Sequence, residues 1–172
     1  MTIESTVVCI IGKPCSGKST VSKKLLELGW NVINVGEKLR SSNNLDIQRD
    51  LRNGNYIDPN TIMSIIGHDL QNKMVILDGY PRDLKQLEYL KRAVSRNTIF
   101  IEFLCSDTVC LQRAAKRCRS DDSMIQQRLE KHALESKFLQ YMDTIKVDVD
   151  AKTDNDVYEA VRLIIETIYI YE

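Results

Sequence analysis

The chain predicts an α/β fold in three layers, a five-stranded parallel sheet with helices on both faces, and three observations predict it. Short apolar runs alternate with stretches of helical period, the pattern of strand-helix units. The first run, Val7-Val8-Cys9-Ile10-Ile11, is apolar at every position, as expected of a strand covered on both faces. No repeat, low-complexity tract or linker interrupts the 172 residues, so residues 1–172 read as a single domain. A chain of this size buries roughly two-thirds of its extended surface, enough for one sound core.

The elements follow in order. After the first strand, Val21, Leu25 and Leu28 recur at helical spacing and Gly29 supplies a stop. Val32-Ile33-Asn34-Val35 is a short second strand, Val75-Ile76-Leu77 a third that ends in Asp78, residues 98–104 a fourth and residues 145–149 a fifth. The last helix begins near Thr153 or Asp154, with Val157, Val161, Ile164 and Ile168 on one stripe. Ligands of such sheets sit beyond the carboxyl ends of the strands, which directs attention to the residues after Ile11, Val35, Leu77 and Leu104.

Composition narrows the function. Lys and Arg number 24 and so do Asp and Glu, giving a formal net charge of zero. Bulk attraction to nucleic acid or to an anionic membrane is therefore not expected, and any bound anion must be held by a local cluster. No apolar run reaches the roughly 18 residues needed to span a bilayer, and the amino end lacks the basic flank and apolar stretch of a signal peptide. Five cysteines in no Cys-x2-Cys pair (Cys9, Cys15, Cys105, Cys110 and Cys118) read as thiols of a reducing cytosol. A cytoplasmic protein is expected, small enough to enter a nucleus. His68 and His132 read as ordinary helix-surface or boundary residues.

Directly after the first strand stands Gly12-Lys13-Pro14-Cys15-Ser16-Gly17-Lys18-Ser19-Thr20, which fits G-x-x-x-x-G-K-[ST], the P-loop. Glycines let the main chain wrap closely around phosphate oxygens, and its N–H groups form an inward-facing nest. The helix that starts here aims the positive end of its dipole at the same oxygens. Lys18 is placed to neutralise β and γ phosphates, and the Ser19 hydroxyl to reach Mg²⁺. A second anchor, Asp78-Gly79-Tyr80-Pro81-Arg82, follows the third strand. An acid at that position can hold Mg²⁺ or its waters, or merely cap the next helix. Arg82 can grip a phosphate with both guanidinium arms.

The P-loop followed by Asp78-Gly79-Tyr80-Pro81-Arg82 resembles the nucleoside monophosphate (NMP) kinase family, adenylate kinase in particular, with UMP/CMP kinase as a close relative. The resemblance covers nearly the whole chain. Gly36-Glu37-Lys38-Leu39-Arg40 is similar to the family segment whose arginine binds the acceptor phosphate, and Gly54-Asn55-Tyr56-Ile57-Asp58-Pro59 to the turn that closes the acceptor pocket. Gln86 matches the glutamine that reads the adenine of AMP. Arg113 to Arg119, Asp121-Asp122 and Arg128 resemble the arginine-rich lid and its exit helix.

The resemblance implies a P-loop core of residues 1–35, 68–116 and 123–172, an NMP-binding helical insertion at about 36–67 and a very short lid at about 117–122. It implies ATP contacts from Gly12, Cys15, Ser16, Gly17, Lys18, Ser19, Thr20, Arg113 and Arg117. Acceptor contacts would come from Val35, Arg40, Asn55, Tyr56, Ile57, Gly79, Tyr80, Arg82, Gln86, Arg119 and Arg128. Catalytic roles fall to Lys18, Arg82, Arg117, Arg119 and Arg128, with Ser19 and Asp78 serving Mg²⁺, partly through water. The chain departs from the family by carrying Lys13, Cys15 and Ser19 where glycines are usual, Val35 where adenylate kinases carry a threonine, and one residue between Arg117 and Arg119.

The activity so implied is ATP + NMP ⇌ ADP + NDP with Mg²⁺, in a monomer, with AMP as the first acceptor and UMP, CMP or a deoxynucleoside monophosphate as alternatives. Shikimate- or gluconate-type kinases share the loop but are disfavoured by the segment from Asp78 to Arg82 and by Gln86. A nucleotide-sensing or scaffold protein with a degraded lid is the non-enzymatic alternative.

Overall fold

The computed structural model describes residues 6–94, 97–117 and 124–171. Five parallel strands form one sheet in the order β2-β3-β1-β4-β5. They are β1 (Thr6–Gly12), β2 (Val32–Asn34), β3 (Met74–Asp78), β4 (Thr98–Leu104) and β5 (Ile145–Asp148). The central strand β1 pairs Val8 with Ile76 on one side and with Ile99 on the other.

Because side chains alternate across a strand, β1 supplies both cores. Val7, Cys9 and Ile11 face the first core, with Val75, Leu77 and Phe100. Val8 and Ile10 face the second, with Ile76, Ile101 and Phe103. None of Val7 through Ile10 has measurable exposure, which is why the run carries no polar residue.

Helix α1 (Lys18–Glu27) starts straight out of the loop after β1, with Gly17 in the left-handed region at its amino end. Val21 and Leu25 are its buried stripe, and past Leu28 a left-handed Gly29 ends it. It packs against α8 (Asp154–Tyr171), whose buried face is Val157, Tyr158, Val161 and Ile165. These helices cover the second core.

The first core is covered by helices between β2 and β3, together with α5 (Leu84–Ala93). They are α2 (Val35–Arg40), α3 (Leu45–Arg52) and α4 (Pro59–Ile66). Asn34, Asn44 and Asp58 cap these three short helices with side-chain oxygens, and Pro59 occupies the first turn of α4. Each is too short to persist alone, so caps and the buried Val35, Leu39, Ile47, Ile62 and Ile66 hold them.

Two sequence expectations shift here. The second strand stops at Asn34, because that side chain accepts a hydrogen bond from the Glu37 amide at 2.8 Å and starts a helix. Val35 is thereby the first residue of α2 and is buried. The fifth strand ends at Asp148 rather than 149.

On the far side of β1, α6 (Asp107–Arg117) follows β4, and α7 (Ile125–Glu135) leads into a 3₁₀ segment, Ser136–Tyr141, before β5. Among the described residues no helix is long and apolar enough to cross a membrane. None of Cys9, Cys15, Cys105 and Cys110 joins a disulfide; Cys118 lies outside the described residues.

Candidate active site

A cavity of about 500 Å³ opens at the carboxyl end of the central strand. Its floor is the loop between β1 and α1. Gly12 has φ +137°, and a Cβ there would lie 2.7 Å from the Phe103 carbonyl oxygen, so β4 leaves no room for any other residue. Gly17 has φ +98° where the loop turns into α1. Cys15 takes φ +62°, a left-handed conformation that costs an L-residue roughly 1–2 kcal/mol. This gives the physical reason for glycine at the corresponding position of similar loops: the chain tolerates Cys15 there by storing strain.

Lys18 curls over this loop. Its ammonium donates to the Gly12 carbonyl at 2.8 Å, to the Lys13 carbonyl and to Ser16 Oγ at 3.1 Å. Desolvation there pulls the Lys18 ammonium down to about 8, against the attraction of Asp78; Arg82 and Arg128 add to the lowering. Asp78 ends β3 and is buried, and burial pushes its carboxyl above the ordinary range while Lys18, a hydrogen bond from Ser19 and the charge of Arg82 oppose the rise.

Sequence reasoning missed the residue that ties this group together. Asn34 Nδ2 donates to Asp78 Oδ2 at 2.6 Å and to Ser19 Oγ at 3.2 Å, while its Oδ1 caps α2. The signal was an asparagine at a strand end just before Gly36-Glu37, read as part of the strand.

Arginines form the opposite wall. Arg82 Nε donates to the Gly79 carbonyl at 2.9 Å, and a Cβ on Gly36 would stand 3.3 Å from Arg82 and 3.2 Å from Arg40. Gly36 is therefore the gap into which two guanidinium groups reach. Burial, then Arg128, lower the Arg82 pKa, with Arg40 adding to it and Tyr56 and Asp78 opposing. Cations crowded in this way favour an anion among them. Arg117, at the end of α6, and Arg128, in the first turn of α7, also line the cavity. Arg119 falls in residues 118–123, outside the described residues, as does most of the expected lid.

Of the residues singled out from sequence, Gly12, Cys15, Lys18, Ser19, Arg40, Asn55, Tyr56, Asp78, Gly79, Arg82, Arg117 and Arg128 line this one cavity. Others stand elsewhere. Ser16 is buried behind the loop, and Thr20 lies on the exposed side of α1. Arg113 braces the loop from behind, donating to the Ser16 carbonyl at 2.9 Å and to the Val149 carbonyl at 3.4 Å.

Val35, Ile57, Tyr80 and Gln86 surround a separate hollow of about 10 Å³, room for about one water. The Gln86 amide is committed at both ends. Its Oε1 accepts from the Arg82 amide at 2.9 Å, and its Nε2 donates to the Ile57 carbonyl at 3.1 Å. Tyr80, 1 % exposed, donates its hydroxyl to the Gln86 carbonyl at 3.2 Å. In this arrangement Gln86 braces the acceptor-side backbone through one bond at each end of its amide.

His132 is half-buried, as a boundary residue, and its position is more specific than the sequence suggested: it lines the cavity, and desolvation followed by the charges of Lys18, Lys13 and Arg82 brings its imidazole down to about 4. Met124, Arg128, Lys131 and His132 fall on one face of α7 and its amino end, a helical spacing visible in the sequence once Arg128 is taken as facing inward.

Ser19 and Asp78 offer hard oxygen donors side by side, the kind Mg²⁺ takes. Among the described residues no group of three or more His, Cys, Asp or Glu side chains could hold a metal by itself.

Comparison with known proteins agrees with this geometry. A family model described as an AAA domain matches residues 11–136. Adenylate kinase of Orientia tsutsugamushi (strain Ikeda) is 31% identical over 128 residues, 69% of this chain and 59% of that protein, so the chain spans about six-tenths of that relative's length. Adenylate kinase of Mycobacterium marinum (strain ATCC BAA-535 / M) is 31% identical over 165 residues, 84% of this chain and 90% of that one. A gluconokinase from Sinorhizobium meliloti 1021 superposes with a TM-score of 0.68 over 100% of this chain and 99% of its own, at 18% identity, and so shares the fold. The chain belongs to the AAA-domain P-loop proteins and, among kinases of this fold, to the adenylate kinase family.

Proposed function

We propose that this protein is an ATP-dependent nucleoside monophosphate kinase, ATP + NMP ⇌ ADP + NDP, with AMP as the first acceptor to test. The observation that carries the reading is the meeting of Lys18, Arg40, Arg82, Arg117 and Arg128 in one cavity beside Asp78 and Ser19. Two nucleotides bring several negative charges together, and a chain of zero net charge can hold them only by such a concentration.

In this reading the loop amides and Lys18 bind the ATP phosphates. Arg40 and Arg82 hold the acceptor phosphate from the side of β3 and α2. Arg117 and Arg128 approach from α6 and α7 and spread charge away from the transferred group. Ser19 and Asp78, oriented by Asn34, would hold Mg²⁺ and its waters. When bound, the ion supplies charge neutralisation on the phosphates. The acceptor phosphate is already ionised at neutral pH, so no general base is needed, and catalysis is in-line positioning with electrostatic stabilisation. Residues 36–67 would close over the acceptor.

The committed amide of Gln86 favours a second reading at the level of the base. A pyrimidine needs no adenine-reading glutamine, so UMP and CMP stand beside AMP, and dNMPs, which differ at the sugar, stay in the panel.

A coupled ADP-release assay with AMP, CMP, UMP, GMP, dNMPs and gluconate as acceptors tests the reading. Transfer to at least one monophosphate, abolished in Lys18→Ala, is expected. Transfer to gluconate alone would overturn it in favour of the activity for which the structural neighbour is named. ATP binding without transfer to any acceptor would overturn it in favour of a nucleotide sensor.

A further inference from the structure

Lys131 links two parts of the molecule that are far apart in the chain. It sits on α7, three residues beyond Arg128, and its ammonium donates to the Gly54 carbonyl at 2.7 Å, a contact across 77 residues. The same ammonium lies 4.4 Å from the centre of the Tyr56 ring. Both contacts fall on the turn that joins α3 to α4, and both partners line the cavity, as does Lys131 itself.

The turn is anchored at its far end, where Gln86 holds the Ile57 carbonyl and Ile57 is buried, but residues 54–56 have less to fix them. Gly54 has φ +68°, its amide bonds to the Leu51 carbonyl at 3.1 Å, and the Asn55 amide bonds to the Asp50 carbonyl at 2.8 Å. These bonds hold the turn to α3, not to the body of the sheet. Met124, just before α7, would touch a Cβ placed on Gly54 at 3.7 Å, so the approach of the two segments is close along more than one residue. A charge-assisted hydrogen bond and a cation–π contact from one ammonium make a directional clamp, because the donor must satisfy a carbonyl and a ring face together.

We propose that Lys131 is a positioning residue that clamps the acceptor-side turn, residues 54–56, against the helix that carries Arg128, so that the walls of the acceptor pocket form as a unit. The inference rests on the proposed kinase function for its kinetic consequence, but the clamp itself is a property of the folded chain. Its chemistry also sets what can replace it. Arginine keeps the charge, a donor and the affinity for a ring face; methionine keeps most of the stem and loses all three.

Two measurements test it. In steady-state kinetics, Lys131→Met is expected to raise the acceptor KM by about tenfold, the worth of one partly desolvated cation–π and hydrogen-bond pair. The ATP KM stays within about twofold, and Lys131→Arg recovers most of the acceptor KM. Tyr56→Leu raises the acceptor KM as well, and the double variant falls short of the product of the two single effects, because the cation–π contact is lost in each while the Gly54 hydrogen bond is lost only with Lys131. Equal changes in both KM values, strict additivity in the cycle, or an unchanged acceptor KM in Lys131→Met would overturn the proposal.

Amide hydrogen exchange without substrate supplies the second reading. Exchange at residues 53–57 should speed up in Lys131→Met and return toward wild type in Lys131→Arg, while strand amides of β1 keep their protection. Unchanged exchange at 53–57 would overturn the clamp. If the wild-type chain transferred to no acceptor while the exchange result held, the functional reading would fail and the clamp would stand.

Discussion

Asn34 Nδ2 lies 2.6 Å from Oδ2 of Asp78, joining the end of an edge strand to the end of its neighbour across 44 residues of chain. The same side chain caps α2 through its Oδ1. One amide therefore sets the direction of a helix that leads to Arg40 and the orientation of a buried carboxylate.

Substitution separates the two jobs. Asn34→Ala loses the cap, worth about 1 kcal/mol, together with the contact to Asp78. Asn34→Asp keeps a capping oxygen but sets a second carboxylate against Asp78. The expected result is a lowered melting temperature in both, from the lost cap in Asn34→Ala and from repulsion between two carboxylates in Asn34→Asp, and loss of phosphoryl transfer in both. Transfer at the wild-type rate in Asn34→Asp, at any Mg²⁺ concentration, would show that the carboxylate needs no such orientation.

Much of this site was legible in the sequence for a definite reason. Gly12, Gly17 and Lys18 answer to backbone demands within a few residues, and such demands leave a fixed spacing. Asp78 was marked by its place at the end of an all-apolar run. Asn34 and Lys131 act through partners 44 and 77 residues away, and His132 feels the charges of Lys18, Lys13 and Arg82 from distant parts of the chain; a single chain read in order carries no mark of those pairings. Gln86 shows the opposite case. Its position matches a motif, yet its amide closes a hydrogen-bond pair with the Arg82 amide and the Ile57 carbonyl, which only coordinates reveal.

Lys18 gives a prediction with two signs. Its ammonium is depressed from 10.5 to about 8 in the folded chain by desolvation. The unfolded chain therefore holds more protons between those values, and stability from this group rises as pH climbs from about 8 toward 10.5. Activity moves the other way, because the neutral amine cannot neutralise phosphate. kcat/KM for ATP should fall as pH rises through about 8, since that ratio reports the free protein. Lys18→Met is expected to melt no lower than wild type at pH 7 while losing turnover by orders of magnitude. A destabilised Lys18→Met, or a flat kcat/KM profile to pH 9.5, would count against this account of the loop.

Gln86 should behave as a brace. Gln86→Leu leaves the Arg82 amide and the Ile57 carbonyl without their partners in a region where Gln86 is 1 % exposed, a loss of about 2–3 kcal/mol. Gln86→Glu keeps the acceptor for the Arg82 amide and loses the donor, so it should fall between. The order of acceptors in the coupled assay should stay the same in any variant that folds. A stable Gln86→Leu whose preference switches from AMP to another monophosphate would show instead that the amide turns outward to read the base.

His132 makes stability sensitive to acid. Its imidazole is held down to about 4 against an ordinary 6.5, first by desolvation and then by Lys18, Lys13 and Arg82, with Asp107 opposing and Ser136 Oγ 3.3 Å from its Nδ1. Between pH 6.5 and about 4 the unfolded chain takes up a proton that the folded chain refuses, so stability falls as pH drops through that window. The penalty accumulates to at most about 3 kcal/mol, since each pH unit of displacement is worth about 1.4 kcal/mol. His132→Gln keeps a polar side chain of similar size and removes the titration. Melting curves at pH 7 and pH 4.5 should therefore show a smaller loss in His132→Gln than in wild type, with the two proteins nearly equal at pH 7. Parallel losses in the two proteins would place the acid sensitivity elsewhere and leave His132 with a partner that shields it from the arginine and lysine charges.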